Sequence, residues 1–213
     1  MVSVAVISSI YGRHDEPIPQ PVQDMACDWL MVSDREDAPE PWTVIHEPRP
    51  QLHPRMAAKV AKCRPDLYTD AEVTIWIDGN VLVDADFVSW CLSSLGSGVL
   101  AQHHAMGRNT ITSEAMIAAS MRKYQELPIN PQTDTYLAEG HPDDWGLWWT
   151  GLIVRTKDCP RFGDEWLTEM LRWTYEDQIS EPVVLRRWDI RPTNIDIDWT
   201  FKKFSLRGHR DQS

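Results

Sequence analysis

The sequence predicts a single α/β domain, with one mixed sheet flanked by helices, and three observations indicate this class. Val2 to Ile10 is an apolar run rich in β-branched residues and stops at Tyr11-Gly12, as a buried strand does. Val73 to Ile77 is a second such run and leads directly into Asp78-Gly79-Asn80. The segments between and after these runs carry apolar residues at helical spacing, so strands and helices alternate along the chain.

The first half of the chain supplies three further elements. Cys27 to Val32 and Trp42 to His46 have the composition of strands, and proline-broken acidic loops precede each of them. Pro54 opens a helix, since proline is tolerated in the first helical turn. This helix carries two adjacent stripes at i, i+4 and i+7 spacing: an apolar stripe of Met56, Val60 and Cys63, and a basic stripe of Arg55, Lys59 and Lys62. We expect the apolar stripe to pack on the sheet.

The second half continues the alternation, and its elements are predicted from periodicity and from glycine and proline signals. They are a helix from Phe87 to Leu95, a strand from Val99 to Gln102, a helix from Ile111 to Glu126, a functional loop from Asn130 to Trp145, a strand from Trp148 to Arg155, a helix from Phe162 to Trp173 and a short helix opened by Ser180-Glu181-Pro182. The predicted domain covers residues 1–200, and residues 201–213 form a basic C-terminal tail.

Charge and cysteine content exclude several function classes. Lys and Arg number 21 against 32 Asp and Glu, and the net charge of −11 argues against duplex nucleic acid as a partner. The four cysteines are widely spaced without a CxxC pair, which indicates reduced thiols rather than a disulfide framework. The chain shows neither a secretory leader pattern nor an apolar run of about 18 residues, so we expect a cytoplasmic protein without membrane contact.

The residues that follow the predicted strands point to one site. Asp78 and Asn80 offer oxygen atoms at the carboxyl end of a buried strand, the edge of an open α/β sheet where ligands bind. A divalent cation shared with a diphosphate is held by one or two such groups, and Gly79 would let the ligand approach the backbone. This is the chemistry of a nucleotide-sugar site. The same residues, taken alone, also fit a strand followed by an ordinary Asp-Gly turn.

Neighbouring strand ends complete a predicted nucleotide pocket. Tyr11 and Gly12 would flank the base and ribose, and Asp34 would accept hydrogen bonds from ribose hydroxyls or a base N–H. Arg55 and Lys59 would neutralise phosphate oxygens, Arg with a planar fork and Lys as a point charge. The alternative is that these two residues form only a solvated helix face.

Several segments, in this order, resemble a family of GT-A-like glycosyltransferases, once catalogued as a domain of unknown function, with plant members linked to pectin and mucilage. They are Val4 to Gly12, Cys27 to Asp34, Lys59 with Leu67-Tyr68, Ile75 to Asn80, Gly146 to Arg155 and Asp177 to Ser180. The resemblance covers roughly residues 2 to 190. It implies a GT-A-like Rossmann-type sheet, a nucleotide-sugar donor and a Mn²⁺ or Mg²⁺ ion. Asp78 and Asn80 stand in the place of the DxD metal motif, with a neutral ligand at the second acidic position.

The resemblance also implies roles for later residues. In GT-A enzymes generally, a late acidic residue acts as base or orients the acceptor, and Asp177, with Gln178, matches it by position. A C-terminal histidine can complete the metal site in such enzymes, and His209 is the candidate for that role here. From its position alone, Asp177 fits a helix-capping carboxylate equally well. Candidate sugar or acceptor contacts are His103, Arg108, Trp148 and Trp149. The His103-His104 pair lacks the spacing of a zinc site.

The sequence therefore predicts a metal-assisted glycosyltransferase, hexosyl or pentosyl, of undetermined stereochemistry. Its partners would be a nucleotide-sugar donor and an acceptor that is a glycan, a protein, a small molecule or a modified base. Two alternatives stay open: a nucleotidyltransferase, although Tyr11-Gly12-Arg13 is not a glycine-rich phosphate loop, and a non-catalytic saccharide-binding module built on tryptophans.

Overall fold

The structure is a computed structural model that describes residues 2–12, 15–105, 107–195 and 203–208. In these ranges the chain forms nine strands and six α-helices. The strands are Val4–Ile10 (β1), Asp28–Ser33 (β2), Thr43–His46 (β3), Val73–Ile77 (β4), Val81–Val83 (β5), Leu100–His104 (β6), Trp148–Thr156 (β7), Thr193–Ile195 (β8) and Phe204–Leu206 (β9). The helices are Pro54–Cys63 (α1), Phe87–Leu95 (α2), Ile111–Ser120 (α3), Ile129–Ala138 (α4), Gly163–Arg172 (α5) and Asp177–Arg187 (α6).

The central sheet is seven-stranded and mixed, with the order β3-β2-β1-β4-β7-β6-β8. β1 pairs in parallel with β2 and β4, and β2 pairs in parallel with β3, so the carboxyl ends of these four strands lie at one edge. β7 runs antiparallel between β4 and β6, which brings its first residues and the carboxyl end of β6 to that same edge. The predicted single α/β domain with a helix-flanked mixed sheet is confirmed.

Alternate residues of the central strands reach opposite faces of the sheet, and each face has its own helical layer. Val6 and Ile75 belong to the core cluster that also contains Phe87 and Cys91 of α2. Ile7 and Trp76 belong to the opposite cluster, together with residues of α1, α5 and α6. All seven residues of β1 are buried, which explains why this strand reads as a continuous apolar run rather than an alternating one.

The segment from Asn130 to Trp145 was predicted as a functional loop, and this prediction is wrong. α4 occupies Ile129–Ala138 and contributes to a third core cluster with α3 and α6. Its Tyr136 is fully buried and donates to Glu169 Oε2 at 2.8 Å. The helix is built largely from polar residues that are buried, such as Gln132 and Thr133, so hydrophobic periodicity does not reveal it. The preceding helix is shorter than predicted, because α3 ends at Ser120.

The last helix begins earlier than predicted. α6 starts at Asp177, not at Ser180, because the carboxylate of Glu176 accepts from the backbone N–H groups of Gln178 and Ile179. Glutamate is not among the preferred N-cap residues, so the sequence carries no clear start signal here. Pro182, taken as a first-turn residue, instead lies inside the helix. The earlier start carries Asp177 to the edge of the sheet.

Residues 203–208, within the predicted tail, are held against the domain. β9 pairs antiparallel with β5 in a separate two-stranded sheet, and Arg207 N–H donates to the Asn80 carbonyl at 2.9 Å. The segment therefore covers the turn after Asp78. The four cysteines are free thiols, and every helix in the described ranges is too short or too polar to cross a bilayer.

Candidate functional site

Two adjoining cavities open at the sheet edge where β1 and β4 end. Both are lined by Arg55, Lys59, Asp78, Asn80 and Tyr124. The first, called here the donor cavity, extends to Tyr11, Trp76, Gly79 and Tyr175. The second, called here the inner cavity, extends to Arg108, Glu114, Trp149, Thr150, Glu176, Asp177 and Gln178. The structure thus brings most of the predicted site residues together, although they come from distant parts of the chain.

Asp78 is held by its own strand. Its Oδ1 accepts from Trp76 Nε1 at 2.9 Å and lies 3.2 Å from Lys62 Nζ, while its backbone N–H donates to the Gly151 carbonyl at 3.0 Å. The side chain is 39% exposed, and Oδ2 has no hydrogen-bond partner among the described residues. One oxygen therefore fixes the carboxylate, and the other is available to a ligand.

Lys62 contacts two of the predicted site residues, Asp78 and Asp177. It was placed in a basic helix stripe, yet it is 1% exposed. Its ammonium lies 2.6 Å from Asp177 Oδ2 and 3.2 Å from Asp78 Oδ1, and 5.3 Å from the centre of the Trp76 ring. Burial alone would lower the pKa of Lys62, but the two carboxylates outweigh burial and raise it. Lys62 is thus a buried, charged bridge between β4 and α6.

Asp177 is buried, and both oxygens of its carboxylate accept hydrogen bonds from side chains. Its Oδ2 accepts from Lys59 and Lys62, each at 2.6 Å, and its Oδ1 accepts from Thr150 Oγ1 at 3.0 Å. Burial opposes the charged form, but the two ammonium groups outweigh it and lower the pKa of Asp177. A carboxylate held in this way is a poor proton acceptor, so the geometry does not favour the predicted general-base role.

Two other carboxylates line the inner cavity, and sequence reasoning missed both as site residues. Glu176 is buried, and burial together with the nearby charges of Asp177 and Glu114 raises its pKa. Glu114 is also buried, lies 2.5 Å from Arg108 Nε through its Oε2, and interacts with Gln178. Arg108 and Gln178 therefore contact the cavity as partners of Glu114.

Two cations that line the inner cavity, Arg55 and Lys123, lack a carboxylate partner among the described residues. Neither Arg55 nor Lys123 forms an ion pair with any carboxylate of the described residues, and Lys123 Nζ lies 4.6 Å from the centre of the Tyr124 ring. Partial desolvation, with the like charges of Arg55 and Lys59, lowers the pKa of Lys123. Clustered like charges of this kind favour the binding of an anion.

Asn80 and Gly79 have roles set by packing. Asn80 Nδ2 donates to the Arg207 carbonyl at 3.1 Å, which leaves its amide oxygen as the available ligand atom. A Cβ on Gly79 would lie 2.6 Å from Ile10 Cγ1, so contact with β1 itself requires a glycine at this position. Gly79 also lines the donor cavity, and the approach of a ligand to its backbone stays a prediction.

The available donor atoms fit a divalent cation that is shared with a ligand. Asp78 Oδ2 and the Asn80 amide oxygen are hard oxygen donors at one cavity wall. The described part of the chain contains no group of three or more His, Cys, Asp or Glu side chains that would enclose a metal by itself. The remaining ligands would have to be phosphate oxygens and water, as is usual for Mg²⁺ in nucleotide sites. His209 lies outside the described residues.

Hydrogen bonds tie the end of β1 to residues that follow β2 and β3. Tyr11 lines the donor cavity, donates to the Glu47 carbonyl at 2.7 Å and has its pKa raised to about 12 by burial. Gly12 has a φ of 69° and its N–H donates to both carboxylate oxygens of Asp34, at 3.0 and 3.2 Å. Asp34 thus joins the ends of β1 and β2 and lines neither cavity, so its position does not support the predicted nucleotide contact.

Two of the predicted sugar contacts are buried in the protein, and a third, Trp149, lines the inner cavity. Trp148 is 1% exposed and contacts Trp145 and His104, and His103 is 2% exposed. Trp149 lines the inner cavity, but its ring packs on Gly151 and lies 5.3 Å from the Phe204 ring. Trp148 is therefore a core residue, Trp149 forms part of the inner cavity wall, and a sugar contact of Trp149 stays a prediction.

The aromatic wall of the site consists of other residues. Tyr175 stacks on His53, with ring centres 4.7 Å apart and an interplanar angle of 5°, and it lies 5.8 Å from the Tyr124 ring. Tyr124 and Tyr175 both line the donor cavity. Neither was predicted, because each stands in an irregular segment whose position depends on long-range packing.

Glu181 lies one helical turn after Asp177 and is fully buried. Its Oε1 accepts from Gln102 Nε2 at 2.7 Å. Burial raises the pKa of Glu181 from 4.5 to about 8. Between these values the folded state binds more protons than the unfolded state, so the free energy of unfolding falls as pH rises through this window.

We expect Glu181→Gln to weaken this pH dependence, since it removes the titrating group and keeps a hydrogen-bonding side chain. The fall in unfolding free energy between about pH 5 and about pH 8 should shrink by about 1 kcal/mol or more, measured by urea denaturation. Glu126→Gln, at an exposed position, is the control. An unchanged pH dependence in the Glu181 variant would contradict the assignment.

The fold is similar to that of a known glycosyltransferase. No protein-family model and no curated protein matches the chain. Among solved structures, the chain is similar to the apo structure of the WbbM bifunctional glycosyltransferase, with a TM-score of 0.50 and 14% identity over 93% of this chain. The chain spans 39% of that protein's length. At this identity the likeness concerns the fold, which is that of a glycosyltransferase-like α/β domain.

Proposed function

We propose that this protein is a glycosyltransferase that moves a hexosyl or pentosyl group from a nucleoside-diphosphate sugar to an acceptor. One observation carries the proposal: Arg55 and Lys59 line the same cavity as Asp78 and Asn80 at the carboxyl edge of the sheet. The two cations suit phosphate oxygens, and the oxygen donors suit a divalent cation bound to the same diphosphate. The glycosyltransferase-like fold supports this reading.

On the donor side, the side chains would stabilise the charge that develops on the departing diphosphate. Arg55 would bind two phosphate oxygens through its planar fork. Lys59 would add a point charge, held in position by its ion pair with Asp177. Asp78 Oδ2 and the Asn80 amide oxygen would hold Mn²⁺ or Mg²⁺, which when bound supplies Lewis-acid stabilisation of the leaving group.

On the acceptor side, we assign proton acceptance to Glu176 and positioning to Asp177. Glu176 lines the inner cavity, and its raised pKa brings the carboxyl closer to neutral pH, where a general base works best. Asp177 is the weaker proton acceptor, since it already accepts from two lysines and a threonine and the lysines lower its pKa. Its contribution would be to orient Lys59.

A non-catalytic saccharide-binding module is less well supported. That reading depended on exposed tryptophans, and Trp148 is buried while Trp149 is packed between Gly151 and Phe204. The charged groups of the two cavities instead match a diphosphate and a cation.

The proposal is tested by thermal-shift titration with a panel of nucleoside diphosphates and nucleotide sugars, each with and without Mn²⁺. A bound ligand raises the melting temperature by mass action. We expect at least one nucleoside diphosphate to give a Mn²⁺-dependent shift, and Arg55→Met to weaken its binding about tenfold because one charged phosphate contact is lost.

Arg161→Met is the matched control for this experiment. Arg161 is an exposed arginine in a cleft at the opposite edge of the sheet, lined by Thr74 and Thr156. Its replacement should leave nucleotide binding unchanged. If no compound in the panel gives a metal-dependent shift, or if both arginine variants lose affinity equally, the proposed donor site is wrong.

A further inference from the structure

Lys62 occupies an unusual position relative to the proposed cation site. It lies behind the cavity wall, lines neither cavity and is 1% exposed. Its ammonium nevertheless lies 3.2 Å from Oδ1 of Asp78, a residue that lines the donor cavity. The charge of Asp78 is therefore already shared with a fixed cation before any ligand binds.

This charge has a direct consequence for a metal ion. A divalent cation held by Asp78 would share this carboxylate with the Lys62 ammonium, in a partly desolvated site where repulsion between cations is much stronger than in water. Arg55 and Lys59, which line the same cavity, add to the positive field. A diphosphate reverses this balance, since its negative charges neutralise these cations and its oxygens supply the missing metal ligands.

We propose that Lys62 makes cation binding at Asp78 conditional on the diphosphate, so that the metal ion is retained only together with the nucleotide. This inference rests on the proposed donor site. It assigns to Lys62 a role in selecting the metal-nucleotide complex over the free cation. The second ion pair of Lys62, with Asp177 at 2.6 Å, fixes the ammonium in place so that it does not move away when a cation approaches.

The experiment measures Mn²⁺ binding by calorimetry with no nucleotide present. Lys62→Met alone removes the cation beside Asp78 and leaves the buried Asp177 carboxylate with one of its two close cations, so it is expected to destabilise the fold. The informative variant is therefore Lys62→Met with Asp177→Asn, which removes one positive and one negative charge and leaves Asp78 without its ammonium partner. Asp177→Asn alone is the matched control, because it retains Lys62 beside Asp78.

We expect the wild type and Asp177→Asn to bind free Mn²⁺ weakly, and the double variant to bind it at least about tenfold more tightly. Adding Asp78→Asn to the double variant should abolish the gain, which shows that the gain arises at Asp78. Adding a nucleoside diphosphate should increase Mn²⁺ affinity strongly in the wild type and much less in the double variant.

Two results would overturn the inference: a double variant that binds free Mn²⁺ no more tightly than Asp177→Asn does, or a gain that persists when Asp78→Asn is added to the double variant. Both are read from Mn²⁺ alone. Failure of every nucleoside diphosphate to bind any form of the protein is a separate result, and it would overturn the proposed function instead.

Discussion

Asp78→Asn is expected to reduce sugar transfer by about 100-fold or more, which is the size of loss seen when a charged group that stabilises a leaving oxygen is removed. The substitution keeps the shape of the side chain, and its amide oxygen is still able to accept from Trp76 Nε1. The negative charge that would hold the cation is lost. The Mn²⁺-dependent thermal shift with nucleoside diphosphates should disappear in parallel.

The measurement is release of nucleoside diphosphate from a nucleotide sugar, with and without candidate acceptors. Asp70→Asn serves as the control, since Asp70 is fully exposed in the cleft at the opposite sheet edge. Its activity should match that of the wild type. If Asp78→Asn retains full turnover, the strand end after β4 is an ordinary turn and the donor site lies elsewhere.

Asp177→Ala is expected to produce the largest loss of stability, about 3–5 kcal/mol of unfolding free energy, because it leaves the buried Lys62 ammonium with only its longer contact to Asp78. Lys59 and Thr150 also lose their acceptor. Urea denaturation of this single domain measures the loss. Adding Lys62→Met should restore most of it, since the uncompensated charge is then removed.

The pH dependence of the Asp177 effect has a defined sign. Its folded-state pKa lies below the ordinary value of 3.8, so its stabilising contribution is complete above that value and is lost as pH falls through the folded-state pKa. The difference between wild type and Asp177→Ala should therefore persist from neutral pH down to about pH 4 and shrink only in stronger acid. A difference below about 1 kcal/mol at neutral pH, or one that shrinks above about pH 5, would contradict the role of this ion pair.

The strand framework was predictable because its signals are local. β1 and β4 lie at the centre of the sheet, are buried throughout and therefore appear in the sequence as uninterrupted apolar runs. Residues that follow such runs reach the ligand-binding edge of the sheet, which is why Tyr11 and Asp78 were expected near one another before the structure was known. Arg55 and Lys59 were expected there because helical spacing places both on one face of α1.

The partners of these residues were not predictable in the same way. Glu176, a non-standard N-cap, moves the start of α6 and brings Asp177 to two lysines of α1 that are 118 and 115 residues away in sequence. Trp148 and Trp149 were expected near a sugar, yet packing of β7 against its neighbours assigns them to the core and the cavity wall. Contacts between residues that lie this far apart in the sequence form only when the sheet is assembled, and they leave no periodic signal in the sequence.

The sequence by itself determined the α/β class, the positions of the apolar runs that form the central strands, and the types of residue that lie at the sheet edge. These features follow from burial and from local periodicity. Only the tertiary structure decided what each charged group does. Lys62 is a buried ammonium group between Asp78 and Asp177, Asp177 is a carboxylate that binds two lysines, and Glu176 is a carboxyl group with a raised pKa. The role of each group depends on the charges and the solvent around it.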